Sequence, residues 1–553
     1  MKRLIHNEPF YRKIEIEVNS MEPKQINQSI RQVVYAKQGM VATSEPQAAQ
    51  AGLDILKKGG NAIDAAIAVA ATLTVTEPTS NGIGGDNFAI IWHKNQLYGL
   101  NASGPAPKLL SLDTLKHLKL NEMPVHGFIP VTVPGAVAGW AEMSKRFGVL
   151  SLKDTLRPAI DYAKNGFVVQ KTVAENWQRA YQIYQKTFKD ELYASWFDTF
   201  TKNLNSPKAG DLWTLKDHAK TLEEIGDTVG SSFYKGKIAD QIDHYSRAMG
   251  GLIRKSDLES YQVEWVDPIK VNYRGYDVYE LPPNGQGMVT LMALNILENF
   301  EFKDKDLITT AHRQIEAVKL AFADGLQYIA DPAYMETSIQ SLLSKNYAWT
   351  RSRDIKINAI EPKAGKPIGS GTVYLAVADN QGNMVSMIQS NYMGFGSGVV
   401  IPKTGIALHN RGHNFSLNPK SNNLVEPFKR PYHTIIPGFL MKDRNPIGPF
   451  GVMGGFMQPQ GHVQVLMNMI DFAMDPQEAL DAPRFQWVEH KKILVEPDYP
   501  QKLIHGLIKK GHEVVIEPRL GSFGRGQIIR KDPITGVYVG GTEKRCDGTI
   551  ASY

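Results

Sequence analysis

Threonine attacks a carbonyl only when a base takes its hydroxyl proton, and a threonine at the head of a chain carries that base in its own α-amino group. With a reference pKa of about 7.7–8.0, such an amine can move a proton both ways near neutrality. The stretch 366–400, KPIGSGTVYLAVADNQGNMVSMIQSNYMGFGSGVV, offers one candidate, Thr372, preceded by Gly371. For Thr372 to come first, the Gly371–Thr372 bond must break. Its hydroxyl can attack the Gly371 carbonyl, giving an ester that water then hydrolyses. Glycine suits that position, because it has no Cβ to block the attack and tolerates a strained backbone. The local pattern alone also fits a plain reading, in which Thr372 merely opens a half-buried strand. Acyl transfer further needs donors for an oxyanion. Gly454-Gly455, just ahead of a helix, can present consecutive backbone N–H groups and the positive helix end.

Rival chemistries find less support. No GxSxG elbow exists, since Ser397 sits in GFGSGVV. HExxH and EF-hand patterns are absent and the histidines are dispersed along the chain, so neither a metal nor another cofactor is expected. The single cysteine, Cys546, rules out an internal disulfide framework and a cysteine-rich zinc site. The glycine loop Asn81–Asp86 feeds a strand hairpin rather than a helix, so it is read as close backbone packing and not as a phosphate cradle. His312 and Glu316 stand four apart on one helix face, a spacing read as packing.

The elements that must position these residues follow from pattern. Pro46–Lys58 has a helical period, is stopped by Gly59-Gly60, and is followed by an alanine-rich helix capped by Asn61 and running to about Thr74. Strands are expected at Phe88–Trp92 and Leu97–Leu100, and one at Asn272–Leu281. Further strands are expected at Thr372–Asp379, Asn383–Ser390 and Gly405–His409, with several short ones toward the C-terminus. Helices dominate 131–230, 288–300 and 309–329. Residues 1–37 are polar and read as an N-terminal extension. Strands and helices mix along the rest without a linker, so a layered sandwich is expected.

The 62 basic residues exceed the 56 acidic ones by a scattered +6, which on 553 residues indicates a solvated surface and no nucleic-acid partner. No apolar run approaches the ~20 residues a membrane span requires. The N-terminus also lacks the ~7–15-residue apolar core of a secretory signal, so a cytoplasmic protein is expected.

Taken together, the segments resemble the γ-glutamyltransferase (γ-glutamyltranspeptidase) family. The resemblance is carried by Gly39-Met40-Val41-Ala42, Gly52–Ala66, Gly82-Ile83-Gly84-Gly85, Pro134-Gly135, Gly371-Thr372, Lys429-Arg430-Pro431, Gly454-Gly455 and Ala482-Pro483-Arg484-Phe485, in order over about residues 38–553. It implies an α+β, N-terminal nucleophile hydrolase with an αββα sandwich. It also implies a precursor that cuts itself into a large-chain region (38–371, after the extension) and a small-chain region (372–553) that stay associated. By position, Thr372 matches the nucleophile, Ser390 the threonine that hydrogen-bonds it, and Gly454 and Gly455 the oxyanion glycines. Asn410 falls in the substrate loop, and His433-Thr434 match a pair of serines there. Four departures concern the amino-acid head of the substrate. Asn101–Pro107 lacks the family's arginine, Asn414 replaces an aspartate, Arg411 a glutamine and Tyr392 an asparagine. An α-amino acid is gripped by opposite charges at both ends, so losing them weakens that grip. Arg411 is the residue left to hold a carboxylate from the other side. The chain is similar to the γ-glutamyltransferase-like and cephalosporin-acylase-like branch. The resemblance implies action on small γ-glutamyl amides of the glutathione type. Glutaryl or cephalosporin-type amides are one alternative and a non-enzymatic scaffold is another.

Overall fold

In the strand Gly371–Ala378, Tyr374, Ala376 and Ala378 alternate with Val373, Leu375 and Val377. A period of two sends the two sets to opposite faces, and because both are apolar the strand needs cover on both sides. The computed structural model, which describes residues 31–362 and 371–553, supplies that cover in four layers. Most of the N-terminal extension and the connector running up to Gly371 lie outside the described residues.

The first sheet has seven antiparallel strands in the order Thr549–Ser552, Met40–Thr43, Gly371–Ala378, Met384–Tyr392, Asp86–His93, Gln96–Ala102 and Glu264–Val266. The second runs Val34–Ala36, Tyr538–Thr542, Arg525–Lys531, Asn445–Met453, Gly438–Lys442, Tyr276–Glu280 and Ile269–Tyr273. Between them Phe88, Ile90, Tyr374, Ala376 and Ile388 meet Phe439, Met453, Ile529 and Tyr538 in one apolar layer. On its outer face the first sheet turns Val373, Leu375 and Val377 to helices that include Pro46–Lys57, Ala62–Thr76 and Ala136–Phe147. The second turns Val278, Leu440 and Val452 to Gly287–Leu297, Ile308–Tyr328 and Met457–Ile470. This is the αββα sandwich.

The alanine-rich helix Ala62–Thr76 is buried along its whole length, as its all-round apolar surface demands. Asn61 caps it by accepting from the Ile63 and Asp64 N–H groups, and Asp64 answers in a capping box. The glycine loop packs backbone to backbone, since a Cβ on Gly84 would stand 2.5 Å from the Ala407 carbonyl oxygen.

Three expectations need correction. Asn272–Leu281 is two strands, not one, because Arg274 (φ +51°) and Gly275 (φ +83°) form a tight left-handed turn between Ile269–Tyr273 and Tyr276–Glu280. Gly405–His409 makes isolated bridges, Leu408 to Gly84 and Ala407 to Val400, but no strand. The extension ends earlier than residue 37, because Val34–Ala36 pairs with Tyr538–Gly540 at the edge of the second sheet.

Candidate active site

Three neighbouring strands of the first sheet end together, and the residues at those ends point into the gap between the sheets. Tyr374 bonds the Ser386 hydroxyl at 2.8 Å on the sandwich-facing side. Further along toward the strand ends, Thr372 Oγ1 and Ser390 Oγ lie 3.2 Å apart, both fully buried. Ser390 in turn stands opposite Asp86 on the next strand. The Ser390 hydroxyl also accepts the Tyr392 N–H at 2.7 Å. Tyr392 holds φ +74°, and the register slips by one residue between Gly371/Tyr392 and Val373/Gln389. Such a bulge re-aims a strand end, here at the Gly371–Thr372 bond.

The opposite sheet brings Gly454 and Gly455 to the same end, between the strand Asn445–Met453 and the helix Met457–Ile470. The approach is close, since a Cβ on Gly451 would meet the Tyr374 ring at 2.4 Å. Gly454 (φ +143°) and Gly455 (φ +60°) hold conformations that favour glycine. Their carbonyls are taken, Gly454 O by the Met457 N–H and Gly455 O by the Gln458 N–H and Gln286 Nε2. Among the described residues, neither of their own N–H groups meets a protein acceptor. Two untaken donors at a helix start suit a developing oxyanion.

Asp86 organises the flank beyond Ser390. Its Oδ2 accepts from His433 Nε2 (2.8 Å), His409 Nδ1 (3.1 Å) and Arg411 Nε (3.1 Å), and its Oδ1 from Arg411 Nη2 (3.3 Å). Burial alone would raise this carboxyl, but Arg411, His433 and His409 outweigh it and hold it well below the usual carboxylate range. Burial, with help from Arg411, pushes His433 down to about 4. His433 is therefore neutral near pH 7. Its Nδ1 accepts the Ile435 N–H at 3.3 Å, which assigns the ring proton to Nε2, facing Asp86. Arg411 also gives Nη1 to Thr434 Oγ1 at 2.8 Å and lies 4.7 Å over the Tyr392 ring.

The remaining site candidates brace loops. Asn410 Oδ1 accepts the Met393 N–H and its Nδ2 donates to the Val125 carbonyl, while half-buried Asn414 donates to the Tyr432 carbonyl. The structure thus gathers Thr372, Ser390, Tyr392, Arg411, His433 and Thr434 at one end of the sandwich. It adds Asp86 and His409, which the sequence reading passed over. The available signal was a lone acid opening an otherwise apolar strand.

Away from Asp86, two further histidines converge beside a carboxylate. His312, Glu316 and His512 come together, all buried, with donor atoms within 4.8 Å of one another. That set has the chemistry of a cation site, but the Lys319 ammonium already lies 2.7 Å from Glu316 Oε1 and supplies the positive charge. His512 Nε2 and His312 Nδ1 bond each other at 2.8 Å. No helix among the described residues is long and apolar enough to cross a membrane.

The model of the family described as Gamma-glutamyltranspeptidase matches residues 48–553. A crystal structure of cephalosporin acylase from Bacillus halodurans superposes with a TM-score of 0.94 at 55% identity, covering 97% of this chain and 99% of that one. The glutathione hydrolase-like YwrD proenzyme of Bacillus subtilis (strain 168) is 36% identical over 94% of this chain and 99% of its own length. The glutathione hydrolase proenzyme of Escherichia coli (strain K12) is 32% identical over 96% of this chain and 94% of its own.

Proposed function

This chain belongs to the gamma-glutamyltranspeptidase family, and on that premise we propose that it is a precursor that cuts itself at Gly371–Thr372 and then hydrolyses or transfers the acyl group of side-chain-type amides. In the first step the Thr372 hydroxyl attacks the Gly371 carbonyl carbon. The peptide becomes an ester, and water releases Gly371 as a carboxylate and Thr372 with a free α-amine. The chains 1–371 and 372–553 stay associated. In turnover the amine takes the Thr372 proton while Oγ1 attacks the substrate amide, and Gly454 and Gly455 N–H groups hold the oxyanion. The amine returns the proton to the departing nitrogen, and water or a second amine takes the acyl group from Thr372. The carrying observation is the buried Thr372–Ser390 hydroxyl pair beside two untaken glycine N–H groups.

Tyr392, Asn410, Arg411, Asn414, His433 and Thr434 form the acyl side. γ-Glutamyl amides of the glutathione type are the first substrate class, in keeping with the names of the hydrolase relatives. A specific observation favours a second reading, glutaryl or cephalosporin-type acyl groups. Arg411, the one charge left to hold a carboxylate, is already engaged, since its guanidinium is wholly buried against Asp86. An acyl end without an ammonium group suits such a balanced pocket better.

Intact-mass analysis and N-terminal sequencing test the first part. The native protein should give two chains with a new threonine N-terminus, and Thr372→Ala one uncut, inactive chain. An uncut native protein that is active would refute the reading. A panel of γ-glutamyl and glutaryl 4-nitroanilides, run on wild type and Arg411→Ala, decides the acyl class.

A further inference from the structure

The nucleophile has a second flank, on the side away from Asp86. The neighbouring strand there is Met40–Thr43, where Thr43 Oγ1 donates to the Tyr374 carbonyl at 3.1 Å. The next residue, Ser44, donates to Glu77 Oε2 at 2.5 Å, and Glu77 Oε1 accepts from Arg525 Nη1 at 3.2 Å. Arg525 arrives from the other sheet. It pairs with Met453, the residue before Gly454, and the Cα of its neighbour Gly524 lies 3.1 Å from where a Cβ on Gly454 would sit. Alternation with Ile529 turns Arg525 into the gap between the sheets. Arg525 therefore flanks the oxyanion glycines on one side as Arg411 does on the other.

The two arginines differ in what they have left to give. Arg411 spends three nitrogens on Asp86 and Thr434 and stacks on Tyr392. Arg525 is 9% exposed and makes one side-chain bond, to Glu77. Its Nε is buried without a partner, and among the described residues Nη2 meets no acceptor. Nη2 lies 3.7 Å from where a Cβ on Gly521 would stand, in an exposed turn. Burial raises Glu77 to about 7 even against the pull of Arg525, so near neutrality the pair keeps part of the arginine's positive charge.

We propose that Arg525 is a carboxylate site for the leaving amine: the acyl group lies toward Asp86 and Arg411, and the departing amine carries a carboxylate that Arg525 binds through Nε and Nη2. The chemistry is that of an amino acid, a short peptide end or an aminobenzoate. The inference rests on Thr372 being the nucleophile but not on which acyl group it takes.

The test pairs 4-nitroanilides with 3-carboxy-4-nitroanilides, each as glutaryl and γ-glutamyl derivatives, on processed wild type, Arg525→Gln, Arg525→Lys and the charge-neutral double variant Glu77→Gln/Arg525→Gln. Wild type should prefer the carboxylated leaving group. In Arg525→Gln the ratio of the two kcat/KM values should fall about tenfold or more, the scale of one charged hydrogen bond, and Arg525→Lys should restore part of it. The double variant should match Arg525→Gln, which separates lost recognition from a stranded Glu77. An unchanged ratio overturns the proposal, as does a wild type with no preference. Calorimetry of 5-amino-2-nitrobenzoate against 4-nitroaniline reads the same site without turnover. Tighter binding of the former that Arg525→Gln abolishes supports the site, and equal binding refutes it. If no anilide is turned over, the proposed function fails and the binding measurement still decides this inference.

Discussion

Replacing Asp86 by Asn keeps the shape of the side chain and removes the only carboxylate the described structure sets against Arg411. The guanidinium is fully buried, so it cannot turn to water for compensation. Breaking one partner of such a pair costs roughly 3–5 kcal/mol. The converse change, Arg411→Met, should cost less, because Asp86 keeps two imidazoles and His433, freed from Arg411, can take a proton and restore a pair. With both charges removed, the double variant should be more stable than the sum of the single losses implies, by a coupling of about 2–3 kcal/mol. Urea denaturation followed by tryptophan fluorescence can measure this on the uncut Thr372→Ala background, so that every member of the cycle is one covalent chain. A coupling below about 0.5 kcal/mol, within the scatter of independent sites, would show that Asp86 and Arg411 do not depend on each other. The argument for a charge-balanced acyl pocket would then fall.

Ser390→Ala removes the hydroxyl partner of Thr372 and the acceptor of the Tyr392 N–H. Steady-state kinetics should show kcat reduced about 10–100-fold, the scale of one buried hydrogen bond lost, with slower chain cleavage on a denaturing gel. Gly454→Ala places a side chain at φ +143° and 3.1 Å from the Gly524 Cα, displacing an oxyanion donor. The expected loss is about 10²–10³ in kcat, and near-native activity would show that the donor lies elsewhere. His433 titrates at about 4 in the fold against an ordinary 6.5, so the unfolded chain binds the proton first as pH falls. Its contribution is complete above about pH 6.5 and is lost between about 6.5 and 4, to the extent of about 3 kcal/mol. Denaturation midpoints measured across that window should show the slope, and His433→Asn should flatten it.

Elements whose signals are local were legible from the sequence. Gly59-Gly60 stops one helix and Asn61 with Asp64 starts the next, all within six residues of chain. The hairpin that Thr372 opens was legible because two strand-like runs flank a turn at Asn380–Gly382. Arg274-Gly275 was not, because arginine is an unusual occupant of a left-handed turn position and YDVYEL continues the alternation across it. Gly405–His409 looked like a strand by composition, but Gly405 adopts φ +72° under the His218 ring and its neighbours pair one bridge at a time. The order of motifs pointed to Thr372, Ser390 and Gly454-Gly455. Arg411 was visible as a charge, but its partner was not. Asp86, His409, Arg411 and His433 lie up to 347 residues apart, and no local period records that three segments meet at one carboxylate.

The strand orders of the two sheets also bear on the proposed cleavage. In the first sheet Met40–Thr43, from the large region, lies between Thr549–Ser552 and Gly371–Ala378, both from the small region. In the second, Val34–Ala36 and Tyr276–Glu280 from the large region close the two sides of four strands from the small one. Neither region holds a complete sheet of its own. Under the proposed cut at Gly371–Thr372, the uncut chain serves as the template that sets the register of both sheets. Two genes encoding 1–371 and 372–553 separately would have to thread an edge strand and an interior strand between molecules, paying loop-closure entropy as a bimolecular search. Under that same proposal, separating the halves means breaking strand pairs in both sheets, so it is a matter of unfolding rate rather than of an interface affinity.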